Sequence, residues 1–269
     1  MSITASLVNE LREKTGVGLM DCKRVLVETN GDLDQAVKKL REKGLAKAAK
    51  KSARTTNEGK VFVETAADKS VILELSCETD FVASNEQFLE CGALIAAAIL
   101  KSSINSIDNI EQLNVNGQAL KDFLAEYVLK LGENITVKKF EIISEYKQVE
   151  SYIHMNGKIG VLVSFNNTVD QDVSKGIAMH IAAVNPAYLN ITDIEASELE
   201  NERNIIKTQS LKEGKPEAII EKIVEGRIGK YYKEVCLLEQ AYIKDDKQSV
   251  KQLLSNNTEI ITFKRYSLS

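Results

Sequence analysis

Twice in this chain a pair of strand-like runs flanks a turn signal and leads into a helical pattern, and that repeat limits the fold more than any other feature. In the first copy, residues 60–65 and 71–77 flank Ala67-Asp68-Lys69-Ser70 and read as a hairpin. Ser84-Asn85-Glu86-Gln87 then reads as a capping box opening a helix through Phe88, Leu89 and Ile95. In the second copy, residues 152–154 and 159–165 flank Asn156-Gly157, a strong hairpin signal. A helix over 172–184 follows and stops before Pro186. Hairpin plus helix, used twice, predicts an α+β protein with two related subdomains, over 55–147 and 148–269.

A different pattern precedes the first copy. Ile3, Leu7, Val8 and Leu11 keep helical spacing until Gly16-Val17-Gly18. Cys22, Val25 and Leu26 continue it to Asn30-Gly31, residues that tolerate a left-handed cap. Asp32 opens a third helix, with Gln35 at the capping-box position and Leu33, Val37 and Leu40 on one face. The expectation is a small three-helix bundle within 1–54. From Lys43 onward the run GLAKAAKKSARTTNEG reads as a basic, solvated tether carrying Lys47, Lys50, Lys51 and Arg54. A phosphate-binding patch is the lesser reading, since no aromatic residue interleaves with these cations.

Between the two copies a helix is expected over 116–131, ended by Gly132, with a strand over 135–143. The second copy carries an inserted helical pair within 194–229, joined by Gly214-Lys215-Pro216, the expected order of Gly after one helix and Pro opening the next. Leu199 and Ile206 are expected to face Ile219, Ile220 and Ile223 in a short antiparallel coiled coil. The chain returns through Tyr242 and Leu253-Leu254 to a last strand over 259–265.

Composition excludes several functions. The 269 residues carry a formal net charge of −4, the wrong sign for a protein whose main partner is nucleic acid. The longest apolar stretch, 93–100, is far too short to span a bilayer. No targeting segment precedes the first helical stripe, so a cytoplasmic protein is expected. Cys22, Cys77, Cys91 and Cys236 form no CxxC pair and read as buried, idle thiols. His154 and His180 have no partner at ligand or triad spacing, and no P-loop or GxGxxG is present. No catalytic residue, metal site or cofactor is therefore expected.

What remains is Thr79-Asp80-Phe81-Val82-Ala83, set directly after the first hairpin. Asp80 reads as the cap of a single helical turn, which leaves Phe81 without a local role. On these five residues alone an inward Phe81 is the commoner outcome, as most phenylalanines turn inward. An acid beside a large aromatic at the mouth of a strand is also a shape suited to wedging into another protein.

The run CETDFVA resembles the signature of bacterial elongation factor Ts, the family that ejects GDP from elongation factor Tu. ITASLVNELREKTGVGLMDCKRVL and NGDLDQAVKKLREKG resemble that family's amino-terminal module, which is similar to a ubiquitin-associated (UBA) domain, and KAAKKSAR its basic linker. LGENITVKKF, SYIHMNGKIGVLV, AMHIAAVNP and KIVEGRIGKYYKEVCLLEQ are similar to further blocks in the same order. The resemblance implies a guanine-nucleotide exchange factor that binds elongation factor Tu, with no direct nucleic-acid or membrane contact. It implies that Thr79, Asp80, Phe81 and Val82 disturb the partner's Mg²⁺ site, with Phe81 as the wedge. It adds Lys23, Leu131, Gly132 and His154 as further contact positions. Gln240-Ala241-Tyr242 departs from the family's Gln-Pro-Phe, which implies a less rigid loop. Many members also continue past the last strand, so ending at Ser269 carries the expectation of a weaker grip. The alternative, a UBA-type adaptor for a ubiquitin-like partner without exchange activity, rests on the first fifty residues and leaves 79–83 unexplained.

Overall fold

A computed structural model describes residues 3–255 and 257–268. The chain divides into two units: Met1–Ser144 with Ile153–Gly160 and Tyr266–Ser269, and Glu145–Tyr152 with Val161–Arg265.

The first unit opens with three helices. In α1 (Ala5–Thr15), the Thr4 hydroxyl accepts from the Leu7 amide, and Gly16 closes the helix at φ 67°. In α3 (Leu33–Lys51), which follows α2 (Leu19–Glu28), Asp32 accepts from the Gln35 amide at 2.9 Å and from its side chain at 3.0 Å. Val8, Leu11, Val25, Leu26 and Leu40 form the shared core. Each such side chain contributes roughly 1.5–3 kcal/mol on burial, and that burial holds helices too short to persist alone.

The hairpin is β1 (Glu58–Thr65) and β2 (Lys69–Cys77), in an antiparallel sheet of order β1-β2-β5. One helical turn, α4 (Asp80–Ala83), follows, then α5 (Glu86–Lys101). The cap of α5 is Asn85, which accepts from the Gln87 amide, and not Ser84, which the capping-box pattern favours. Ser84 is already occupied closing α4, its amide donating to the Asp80 carbonyl at 3.0 Å. Phe88, Ile95 and Ile99 of α5 are buried with Leu73 and Leu75 of β2 in one core. Gly92 lets the Phe62 ring approach, since a Cβ there would lie 2.2 Å from the ring.

The helix expected from 116 begins later. Asn114–Val115 (β3) and Gln118–Ala119 (β4) form a small hairpin whose turn, Asn116-Gly117, has φ 51° and 83°. Only Leu120–Leu131 is helical (α6), before β5 (Thr136–Ser144). The basic tether is helical too. α3 runs on to Lys51 because Gly44 and Ala48 let it lie close to α6: a Cβ on Gly44 would stand 2.9 Å from the Ala125 carbonyl oxygen.

The later elements are β6 (Gln148–His154), β7 (Ile159–Phe165), α7 (Gln171–Val184), α8 (Ala196–Lys212) and α9 (Glu217–Val235). Then come β8 (Ala241–Tyr242), β9 (Asp245–Ser249) and β10 (Ile260–Ser267), with a second sheet in the order β10-β7-β6. Helix α7 ends on Asn185 in the left-handed region, just before Pro186. α8 and α9 form an antiparallel hairpin, with Arg203–Glu225 and Lys207–Glu221 as cross-pairs. Its seam is Ile206 against Ile220, Val224 and Ile228, with Leu199 and Tyr232 beside them. Ile219 and Ile223, both expected in the seam, lie outside it, Ile219 being 44% exposed; the four-residue spacing starts one position later, at Ile220.

Candidate functional site

Thr79 caps α4: its hydroxyl oxygen accepts from the Val82 amide at 3.4 Å. Asp80, expected as the cap, is instead the first helical residue and is exposed. Val82 packs against the core and Ala83 is buried, which anchors one side of the turn. The other side carries Phe81, whose surface is 84% exposed. The inward orientation that the five residues alone favour is therefore not the one adopted.

A single helical turn has no intrinsic stability in water, so something else must hold it. That role falls to Glu133, one residue past the Gly132 cap of α6. Its carboxylate accepts from the amides of Glu78 and Thr79, both at 3.0 Å, and from the Thr79 hydroxyl at 2.6 Å. Glu78 answers in the opposite direction, accepting from the Asn134 amide at 2.7 Å and from Arg54 at 3.2 Å. The bond from the Asn134 amide, helped by Arg54, holds the Glu78 carboxyl below its ordinary range. Asn134 in turn donates to the Ser52 and Arg54 carbonyls, tying the end of α3 into the same network. Beneath the turn, the Cys77 thiol donates to the Thr79 carbonyl at 3.2 Å, and burial pushes its pKa up to about 12, so it stays protonated.

The structure thus brings Leu131 and Gly132 beside Thr79 through their neighbour Glu133. Leu131 is half-buried against the core, and Gly132 sits at φ 78° where a Cβ would meet nothing within 4 Å, so conformation and not space calls for glycine. Lys23 lies elsewhere, on the exposed side of α2 near the exposed Met20 and Val27. His154 ends β6 and is exposed, ahead of a turn in which Met155, Asn156 and Gly157 all have positive φ. That turn rests on the stem of Lys60, from which a Cβ on Gly157 would be only 2.8 Å. Sequence reading missed Glu133, Asn134 and Arg54 as parts of the site. The one local signal was two polar residues directly after a glycine cap.

His180 belongs to the framework. It is fully buried on α7, with Nδ1 accepting from the Ile243 amide at 3.2 Å and Nε2 2.9 Å from the Gln240 side-chain oxygen. That pattern requires a neutral ring with the proton on Nε2, consistent with burial lowering its pKa. All four cysteines are free and buried, as expected. Among the described residues no cluster of three or more His, Cys, Asp or Glu could hold a metal, and no helix is long and apolar enough to cross a membrane.

A family model described as elongation factor TS matches residues 78–269, well over half of the chain. The chain belongs to the elongation factor Ts family. It is a translation elongation factor of that type. The matched span begins at Glu78 and so contains the exposed turn, Glu133 and Asn134; Arg54 and the three-helix bundle lie outside it.

Proposed function

We propose that this chain is a guanine-nucleotide exchange factor without covalent chemistry of its own, which binds elongation factor Tu and promotes GDP release. The single observation that carries this reading is Phe81, 84% exposed on a short turn that Glu133 clamps in place. A turn whose backbone is already held in place loses little further conformational entropy when the aromatic it carries enters a partner. In this reading Thr79, Asp80, Phe81 and Val82 form the edge that dislocates Mg²⁺, the largest local charge compensating the GDP phosphates. Leu131-Gly132 extend that edge, while Lys23 and His154 supply further contacts. The three-helix bundle acts as a UBA-like module, and the α8–α9 hairpin as a short coiled coil.

Energetics requires more than the wedge. Shifting a population ratio by ~10⁴ takes roughly 5.5 kcal/mol of differential binding, whereas burying one phenylalanine supplies about 1.5–3 kcal/mol. A broad interface must provide the remainder, in keeping with contact positions spread over several elements. Linkage adds that GDP and the factor weaken each other equally.

The test is release of a fluorescent GDP analogue from purified elongation factor Tu, with and without the full chain. Stimulated release that added Mg²⁺ opposes is expected. No stimulation at matched folding rejects exchange, and binding without release would leave the chain a ligand of elongation factor Tu and not its exchange factor.

A further inference from the structure

We propose that the cavity between the end of α3, α6 and β5 is a binding site for a small amphipathic carboxylate. The cavity measures about 560 Å³, within the range of small-molecule sites, and Leu45, Leu124 and Val128 give its lining an apolar part beside the polar Ser52, Thr56 and Thr136. Its charged lining is of one sign. Lys121, Lys138 and Arg54 contribute cations, and among the described residues no carboxylate lines it. The whole chain is acidic, so three cations and no acid around one partly apolar lining is a local departure from the average.

Two of these cations are uncommitted. Lys121 and Lys138 take part in no ion pair among the described residues, whereas Arg54 is shared with Glu78. An unpaired cation beside the apolar part of a lining favours a ligand with one anionic head and an apolar body. The small side chains of Ala48 and Ala49, in the run expected to be a tether, help leave the space open. Among the described residues no aromatic lines the cavity, so the lining offers no platform on which a nucleotide base would stack. A free carboxylate with an aliphatic chain fits this lining better than a nucleotide or a bare phosphate. The assignment does not depend on the exchange reading, because its test measures binding directly.

The probe is decanoate, titrated calorimetrically into the full-length chain. Saturable binding at one site per chain is expected, with Kd below ~1 mM. Lys121→Glu combined with Lys138→Glu should weaken it at least about tenfold. Ala49→Trp, which places a large ring at the cavity, should abolish it, with circular dichroism checking the fold of both variants. Absence of saturable binding to the parent chain would overturn the site, as would unchanged affinity in the charge-reversed variant. Inorganic phosphate displacing decanoate at equal concentration would reveal a plain charge patch and overturn the amphipathic assignment. Should Ala49→Trp misfold, the lysine variant alone still decides.

Discussion

Glu133 and Thr79, 54 positions apart in sequence, are joined by two hydrogen bonds, at 3.0 Å to the Thr79 amide and 2.6 Å to its hydroxyl. The same hydroxyl oxygen caps α4, so the carboxylate that binds Thr79 also orients the turn that presents Phe81. Phe81 is held outward by contacts it does not itself make.

Phe81→Ala should therefore leave stability within about 0.5 kcal/mol, as exposed substitutions do. Loss of an apolar contact of roughly 1.5–3 kcal/mol in the partner complex should slow stimulated GDP release about 10- to 100-fold. Urea unfolding and release kinetics measured side by side check both halves. A stability loss of about 3–5 kcal/mol would place the ring in a core instead.

Glu133→Ala leaves the amides of Glu78 and Thr79 and the Thr79 hydroxyl without their acceptor. A stability loss of about 1–3 kcal/mol is expected, together with slower exchange even though Phe81 is intact. Glu133→Gln keeps the shape with a weaker acceptor and should fall between. Equal exchange rates for Glu133→Ala and the parent would separate the clamp from the activity.

Glu78 supplies a pH dependence. Its folded-state pKa is lowered, first by the Asn134 amide and then by Arg54, so its contribution is fully present above its ordinary value of 4.5. That contribution is lost as pH falls below 4.5 and through the depressed folded value. The urea midpoint of the parent chain should therefore drop more steeply in this window than that of Glu78→Gln. Parallel curves for the two would assign the acid sensitivity to other carboxylates.

Gly44→Ala tests the contact of α3 with α6. Helix propensity alone favours alanine by roughly 0.5–1 kcal/mol. The added Cβ would stand 2.9 Å from the Ala125 carbonyl oxygen, a backbone atom that moves only with its helix. Overpacking of this kind costs about 1–3 kcal/mol, so a net fall in melting temperature is expected. A rise would show that the two helices part without penalty.

Much of the secondary structure was legible because its signals are local. Asp32 with Gln35, Gly132 after Leu131, Asn156-Gly157, and Asn185 before Pro186 act on neighbouring backbone, and each lies where its chemistry predicts. Two of the misreadings turned on a choice between local options, and a third on packing that no local signal carries. Ser84 and Asn85 both make good caps, and α4 had already taken Ser84. Ile219 and Ile220 fit the seam equally well by composition, and the opposing helix selected Ile220. GLAKAAKK has no stripe of large apolar residues, so its helix shows only once α6 covers Gly44 and Ala48.

The candidate site divides the same way. Sequence alone determined that Thr79–Ala83 follows a strand, forms a short turn and carries an aromatic with no local task, because capping and β-propensity operate within a few residues. Tertiary structure decided that Phe81 faces out, that Thr79 and not Asp80 is the cap, and that Glu133, Asn134 and Arg54 hold the turn. Those outcomes depend on hydrogen bonds between segments far apart in the chain. A carboxylate's partners are set by which loops the packed core brings within about 3 Å, and spacing along the sequence does not encode that distance.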